Sequence, residues 1–459
     1  MSIRTKSVRL FELSEDYKMG LKDYSELYKN GIPLKEVLEH KNYEVDIKSG
    51  RTPSKFRPDY WEGDYDFITL SDVDSDLFVL NPKIEEKITD IAIEECGNMV
   101  LVPTGSLVIS NAMTVGLAFI VDRDVYINQN VFWVKMDETK VNIKFIAWYF
   151  NCIIKKMFDK VFSSKYLSKK ELSRICIPDV DLTKQNEIVN QIELYEKEML
   201  KYKKNMIDES GVIDEVFGEK FGFDYDTFER LKQINSYRIK YSGFSNNFDM
   251  RFGVKYHRPA GEFVMQQLRK MGDLSIKHFL SEPIELGGSI SAKDYDEHGQ
   301  FFYISMATIK KWAFDKEGAA TVNKNYSDKK RNKCVRKNDI IMARSGEGTI
   351  GKVALIDEDI NGIFADFTMR IRLKNYNHYF AYYYFRTSYF QYLVEVYKKG
   401  LGNNTNIFPI VVKEFPIPNI SIEEQKEIVD KIKKDMDKQA EIKEQINNIR
   451  EKIAKLVVV

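Results

Sequence analysis

Two stretches of the chain carry apolar residues on a narrow helical stripe. In the C-terminal one, Ile442, Ile446, Ile449, Ile453 and Leu456 recur at alternating steps of four and three, the seam spacing of a coiled coil. Near the middle, Ile188, Ile192, Tyr195, Met199, Tyr202 and Met206 follow the same rhythm, and charged residues fill the remaining faces of both. A stripe this narrow suits one partner helix better than a globular core, so the two helices are expected to pair with each other. Elsewhere the pattern changes to short β-branched runs, a glycine turn, another short run and an aromatic-rich helical segment, at residues 143–158 and again at 378–397. A proline closes a short strand before each long helix, at Ile177-Pro178 and Ile417-Pro418, because the residue ahead of proline leaves the α region. Thr183 and Ser421 are then placed as N-caps, and Glu424, three residues after Ser421, completes a capping box.

The repetition is positional as well as stylistic. Ile177-Pro178, Leu182, Gln185, Glu187-Ile188-Val189 and Ile192 return as Ile417-Pro418, Ile422, Gln425, Glu427-Ile428-Val429 and Ile432, each displaced by 240 residues. Upstream, Gly105 to Ile109 faces Asn338 to Met342 at an offset of 233, and Gly116 to Ile120 faces Gly351 to Leu355 at 235. An offset that drifts upward is what two copies with small loop insertions produce. Between them, residues 208–258 read as a connector with a short helix near Asp226 to Gln233, and a second globular unit is expected to begin near Asn247.

Composition narrows the classes. At roughly 150 residues per domain, 459 residues make about three units. With 43% hydrophobic and 13% aromatic residues, disorder is excluded for most of the chain. Seventy basic against 69 acidic residues leave a net charge of +1, which excludes a polybasic binder but not local patches. Residues 98–121 carry no charge and are long enough to span a bilayer, yet Pro103, Gly105, Asn111 and Gly116 interrupt them, as in buried strands joined by a polar turn. The charged first thirty residues are not a signal peptide. Four scattered cysteines without a C-x-x-C pair fit reduced thiols in a cytoplasmic protein, and five scattered histidines support no metal site.

Catalytic motifs are missing where they would be expected to stand out. Gly346-x-Gly348-x-x-Gly351-Lys352 fails as a phosphate loop because Val353 replaces the required Ser or Thr, and it fails as a dinucleotide fingerprint because a strand follows it. It reads instead as a tight hairpin. Neither a methyltransferase N-P-P-Y motif, nor a nucleophile elbow, nor a nuclease carboxylate cluster occurs, so the polar groups are assigned to binding. Candidate nucleic-acid contacts combine basic, amide and aromatic side chains in loops: Lys55, Phe56, Arg57 and Tyr60; Lys165, Tyr166 and Lys169; and Lys398, Lys399, Asn403, Asn404, Thr405 and Asn406. Arg344, Ser345, Glu347, Thr349 and Lys352 lie on the hairpin of the second copy, and Ser110, Asn111 and Thr114 occupy the corresponding turn of the first.

These residues resemble those of a known family. Ser49-Gly50-Arg51-Thr52-Pro53-Ser54, with Tyr60-Trp61-Glu62-Gly63-Asp64 and Phe67 to Asp72, is similar to the opening of a target-recognition domain of type I restriction-modification specificity subunits. Asn338 to Gly346 with Thr349 to Ala354 resembles that family's central hairpin, and Ile417-Pro418 with Gln425, Ile428 and Val429 resembles the start of its long helix. The resemblance implies an α+β chain of two similar target-recognition domains in tandem, residues 1–180 and 246–419. A central helix and connector at 181–245 and a C-terminal helix at 420–459 would form an antiparallel coiled coil between them.

It further implies a subunit without catalysis of its own that binds double-stranded DNA and reads a split sequence, one half per domain. The implied partners are methyltransferase subunits, two of them, and motor-nuclease subunits in a full complex. S-adenosylmethionine is expected on the methyltransferase, and no cofactor on this chain. Partner-binding is placed on the helix pair through Ile188, Ile192, Tyr195, Met199, Ile442, Ile446, Ile449 and Ile453. A recognition subunit of a related fused restriction-methylation enzyme, or a coiled-coil scaffold that binds no DNA, would share much of this pattern.

Overall fold

The computed structural model describes residues 31–161, 166–240, 253–346, 348–400 and 405–458. The chain divides into two compact units, residues 1–206 with 441–459 and residues 207–440. Each has the same plan, which accounts for the repeat in the sequence.

In the first unit, besides a short antiparallel pair of β1 (Ile32–Pro33) and β10 (Cys176–Ile177), a central antiparallel sheet has the order β2 (Ile47–Ser49), β9 (Val131–Val134), β6 (Leu107–Ser110), β7 (Ala118–Ile120). A second sheet places β4 (Lys87–Ile88), β3 (Trp61–Ile68), β8 (Val125–Ile127) and β5 (Leu101–Val102) side by side, with β3 and β8 parallel. The second unit repeats the first sheet as β11 (Glu285–Leu286), β17 (Thr368–Ile371), β14 (Ile340–Ala343), β15 (Val353–Leu355). It shortens the second sheet to β13 (Thr321–Val322), β12 (Phe301–Ile304) and β16 (Gly362–Phe364), again with one parallel pair, β12 and β16.

The central strands read as unbroken apolar runs because both of their faces are covered. Side chains alternate across a strand. Thus Leu107 and Ile109 of β6 join the core beneath the aromatic helix, while Val108 joins Phe119 and Val131 on the opposite face. Ile340 and Met342 of β14 part from Ile341 and Ala343 in the same way. The uncharged stretch at 98–121 is therefore β5, β6 and β7, and among the described residues no helix is long and apolar enough to cross a membrane.

The aromatic segments form as expected, with one difference between copies. In the first, Ile143–Tyr149 continues through a π-helical turn at Phe150–Ile154 into Lys155–Val161. In the second, Thr387 takes extended ψ, so His378–Arg386 ends and Ser388–Tyr397 begins anew under a Thr387 cap. Both start from an asparagine cap, Asn142 or Asn377.

The long helices run Leu182–Lys204 and Ile422–Val457. Ser421 and Glu424 form the expected capping box, whereas the first helix is capped by Asp181 and not by Thr183, which lies inside it. Lys452 stacks near Tyr195, and Gln439 accepts the N–H of Ile207, so the two helices are antiparallel. Their seam is more than a two-helix stripe. Ile188, Ile192, Met199, Ile446, Ile449 and Ile453 are buried in one cluster with Phe145 and Trp148 of the first unit, and Tyr195 and Ile442 pack against it. The six buried positions are consumed within the chain, which corrects their assignment to partner docking, while Tyr195 and Ile442 stay half-buried.

Polar contacts add to this packing in the first unit. Lys203 pairs with Asp74 and Asp76, Arg450 pairs with Asp76, and Phe78 stands edge-on to Trp148 with the Arg450 guanidinium over its ring. The loop around residues 74–78 is thereby bound to both long helices.

The connector holds the short helix expected near Asp226 to Gln233, as Tyr225–Lys232, but it is not a spacer. Glu209–Phe221 and Tyr225–Lys232 are helices whose Ile213, Val216, Phe217 and Phe228 enter the core of the second unit beside Phe380 and Tyr384. That unit begins at Ile207, and Asn247 lies outside the described residues. The acidic residues between the apolar ones disguised an amphipathic helix as a spacer.

Candidate nucleic-acid interface

The hairpin joining β14 to β15 is held open by glycine. Gly346, Gly348 and Gly351 all have positive φ, and a Cβ on Gly351 would lie 2.7 Å from the Gln391 Oε1 and 2.9 Å from a Val394 methyl. Immediately before the turn, Arg344 is held in a frame of backbone bonds. Its N–H donates to Phe367 O (3.0 Å), its Nε to Asp366 O (2.8 Å), and its own carbonyl accepts from Ile407 (2.8 Å). Nη1 reaches Asn406 Oδ1 at 3.1 Å, the guanidinium centre lies 5.7 Å from the Phe367 ring, and Phe367 is 47% exposed. Arg344 is half-buried, with Nε and Nη1 bonded within the unit and Nη2 without a bond among the described residues, which leaves one guanidinium nitrogen for an acceptor such as guanine O6 or N7.

The same frame exists in the first unit around Asn111. Its N–H donates to Asn130 O (2.9 Å), its Nδ2 to Gln129 O (3.1 Å), and its carbonyl accepts from Leu167 (2.8 Å). The bridge between Ser345 and Asn406 has its counterpart between Ala112 and Tyr166. Asn111 is therefore the positional equivalent of Arg344, but it is wholly buried. What the first unit exposes at this place is Met113, 79% accessible at a positive φ, and Tyr166, 60% accessible.

The remaining candidates separate by burial and pairing. Ser110 is fully buried and donates to Ala112 O, while Ser345 and Thr405 are buried against each other through Ser345 Oγ and Thr405 O at 3.1 Å. Together with Asn111, these side chains are inaccessible to a duplex, a correction to their assignment as contacts. Thr349 turns its hydroxyl back onto Ser345 O and Gly346 O, and Thr114 is half-buried.

Lys352 donates to Lys310 O beside Trp312, and Lys398 pairs with Glu395. Both line a cleft of about 370 Å³ with Lys255, Gly348, Gln391 and Glu395. Lys399 and Asn406 exchange two backbone bonds of 2.7 Å. Lys165, Glu347, Asn403 and Asn404 fall outside the described residues. Lys169 opens a short helix, Lys169–Arg174, behind a Ser168–Glu171 capping box.

Lys55, Arg57 and Tyr60 sit in a separate cluster that is balanced by acids. Lys55 pairs with Glu86 and lies 3.6 Å from the Trp61 ring centre, and Arg57 pairs with Asp59 and Glu95. The Asp59 bond raises the basicity of Arg57, and Arg57 in turn holds the Asp59 carboxyl below its usual range. Tyr60 is 8% exposed and donates to Glu95 at 2.9 Å, which pushes its phenol up. This is a locally neutralised patch, and Tyr60 serves a core.

One grouping was not anticipated: Glu39, His40 and Asp46 converge. Asp46 already accepts from the His40 and Asn42 backbones and contacts His40 Nδ1 at 2.7 Å, so it works as a loop bracket. Met113 and Phe367 were also missed as surface groups. The only local signal for them was their position next to turn residues.

A sequence model described as the type I restriction modification DNA specificity domain matches residues 33–209 and again 279–451, well over half of the chain. Among solved structures, the chain is similar to the type I restriction-modification S subunit from M. genitalium, with a TM-score of 0.37 and 11% identity over 97% of this chain and 98% of that one. It is similar to the HsdS subunit from Thermoanaerobacter tengcongensis, with a TM-score of 0.31 and 11% identity over 93% and 94%. A chain from a study of complex assembly and conformational transition of the type I R-M system gives a TM-score of 0.45 and 12% identity over 92% and 96%.

Proposed function

The chain belongs to the type I restriction-modification DNA specificity family, and we propose that it reads a DNA target in two separated parts, one per unit, with the helix pair setting the gap. The observation that supports this is the duplicated bonding frame at Asn111 and Arg344, with the matching bridges Ala112 to Tyr166 and Ser345 to Asn406 at the same place in each unit. A family of this kind recognises DNA and leaves the chemistry to associated subunits.

In this reading methyltransferase subunits, two per chain, dock on the outer faces of the long helices, because the seam is already filled. Leu194 and Leu200, 66% and 46% exposed off the seam of the first helix, are the apolar groups offered there. The methyltransferase carries S-adenosylmethionine and flips the target base. Motor-nuclease subunits complete a restricting assembly, which would work in the cytoplasm.

The test is to pair the full chain with its methyltransferase and map methylated positions across genomic DNA. The expected result is a two-part motif with a constant gap. A single contiguous motif, or methylation without sequence preference, overturns the proposal.

A further inference from the structure

The two readers occupy equivalent positions but carry different chemistry. From this we infer that the first unit recognises its half-site by apolar contact with a thymine methyl group through Met113 and Tyr166, whereas the second recognises guanine through Arg344. The inference rests on the two-part reading above and adds what each part must contain.

The argument begins with the shared frame. At an offset of 233 residues, Asn111 and Arg344 make matching bonds: each backbone N–H to a residue of the loop after the parallel-paired strand, Asn130 or Phe367, and each side-chain nitrogen to the residue before it, Gln129 or Asp366. An arginine reaches past that anchor, and its Nη2 has no bond among the described residues. Asparagine ends at the anchor. Its carboxamide is buried, so no hydrogen-bonding side chain projects from that position in the first unit.

The groups that do project there are a thioether and a phenol ring. Met113 follows Ala112, which bridges Tyr166, so the two exposed side chains belong to adjoining loops, as Arg344 and Asn406 do in the second unit. At the position where the second unit carries Arg344 and Asn406, these two exposed side chains offer apolar area that a bound duplex would cover. On the major-groove edge of DNA, the one base-specific apolar group is the C5 methyl of thymine, whereas guanine offers O6 and N7 to an arginine.

The experiment uses the full chain and the two-part target found by methylation mapping, made as synthetic duplexes. Each thymine is replaced in turn by deoxyuridine, which removes only the methyl, and each guanine by 7-deazaguanine, which removes only the N7 acceptor. At about 0.8 kcal/mol per buried carbon and about 1.4 kcal/mol per tenfold, one deoxyuridine in one half-site should weaken binding about fourfold. One 7-deazaguanine in the other half-site should weaken it by roughly tenfold.

The double variant Met113→Ala with Tyr166→Ala should abolish the deoxyuridine effect and leave the 7-deazaguanine effect. Arg344→Ala should do the reverse, and Tyr166→Phe should keep methyl sensitivity. Methyl sensitivity absent from both half-sites, or surviving in the double variant, overturns the inference; so does sensitivity of both kinds in one half-site. Absence of any two-part target would already have appeared in the mapping, and it would count against the function rather than against this division of labour.

Discussion

Gln185 accepts the backbone N–H of Asn142 at 2.8 Å while its Nε2 donates to Val180 O at 2.7 Å, so one buried side chain joins the cap of the aromatic helix to the start of the long helix. Gln425 does the same for Asn377 (2.8 Å) and Ile420 O (3.0 Å) in the second unit, and both amides are 1% exposed. The pair explains why glutamine recurs at this offset: a shorter or apolar side chain would strand a buried N–H and a carbonyl.

Replacing either glutamine with alanine should therefore destabilise the chain by about 1–3 kcal/mol, the usual cost of leaving a buried donor or acceptor unpaired. Urea unfolding of Gln185→Ala and Gln425→Ala checks this. Loss below about 0.5 kcal/mol, the level of an ordinary surface change, would show that water replaces the bonds.

His378 begins the second aromatic helix, next to the Asn377 cap, and burial lowers its pKa below the ordinary histidine value. A folded state that resists protonation binds fewer protons than the unfolded one, so its contribution is present above the unfolded pKa and is lost as pH falls below it. The positive helix end disfavours the imidazolium further. Thermal unfolding followed from pH 7.5 down to 5.5 should show a decline that is shallower in His378→Gln. Identical slopes would remove the histidine from the account.

Arg344 and the lysines of the neighbouring cleft should fail differently. Arg344→Ala should cost about 1–3 kcal/mol on the specific target and relax the preference at one base, because a base contact is lost. Lys352→Ala or Lys398→Ala should weaken all duplexes alike and lower the slope of log affinity against log salt by roughly one. If Arg344→Ala instead behaves like the lysine variants, it holds a phosphate.

The gap between half-sites should follow the helix pair. Four residues inserted after Leu200, matched by four after Asn447 on the antiparallel partner, lengthen the pair by about 6 Å and rotate it about 40° beyond a full turn. At about 3.4 Å per base pair that is just under two base pairs, with the rotation absorbed by the DNA. Methylation mapping of this variant should show the same half-sites with a longer gap. Full activity at the original gap would sink the ruler.

Exchange of residues 1–178 for those of a relative should alter one half-site alone, provided the new segment still packs on Ile188, Ile192 and Ile446. Changed preference in both halves, read by binding selection from random duplexes, would argue against independent readers.

The doubling, the glycine hairpin and the seam were legible along the chain, because each is written in local periodicity or in a repeated offset. Ile442, Ile446, Ile449 and Ile453 sit four and three apart whatever surrounds them. Which polar groups stay exposed was set by the fold. Ser110 and Asn111 look like turn residues in the chain, yet Leu117 and Asn130 accept their backbone N–H groups, Gln129 accepts the Asn111 carboxamide, and both side chains are buried. Lys55 and Arg57 look free until Glu86 and Glu95, more than thirty residues away, arrive beside them. The connector looked like a spacer until Phe217 and Phe228 met Phe380 and Tyr392. Burial and charge balance depend on residues distant in the chain, and no local pattern encodes which of them the fold brings near.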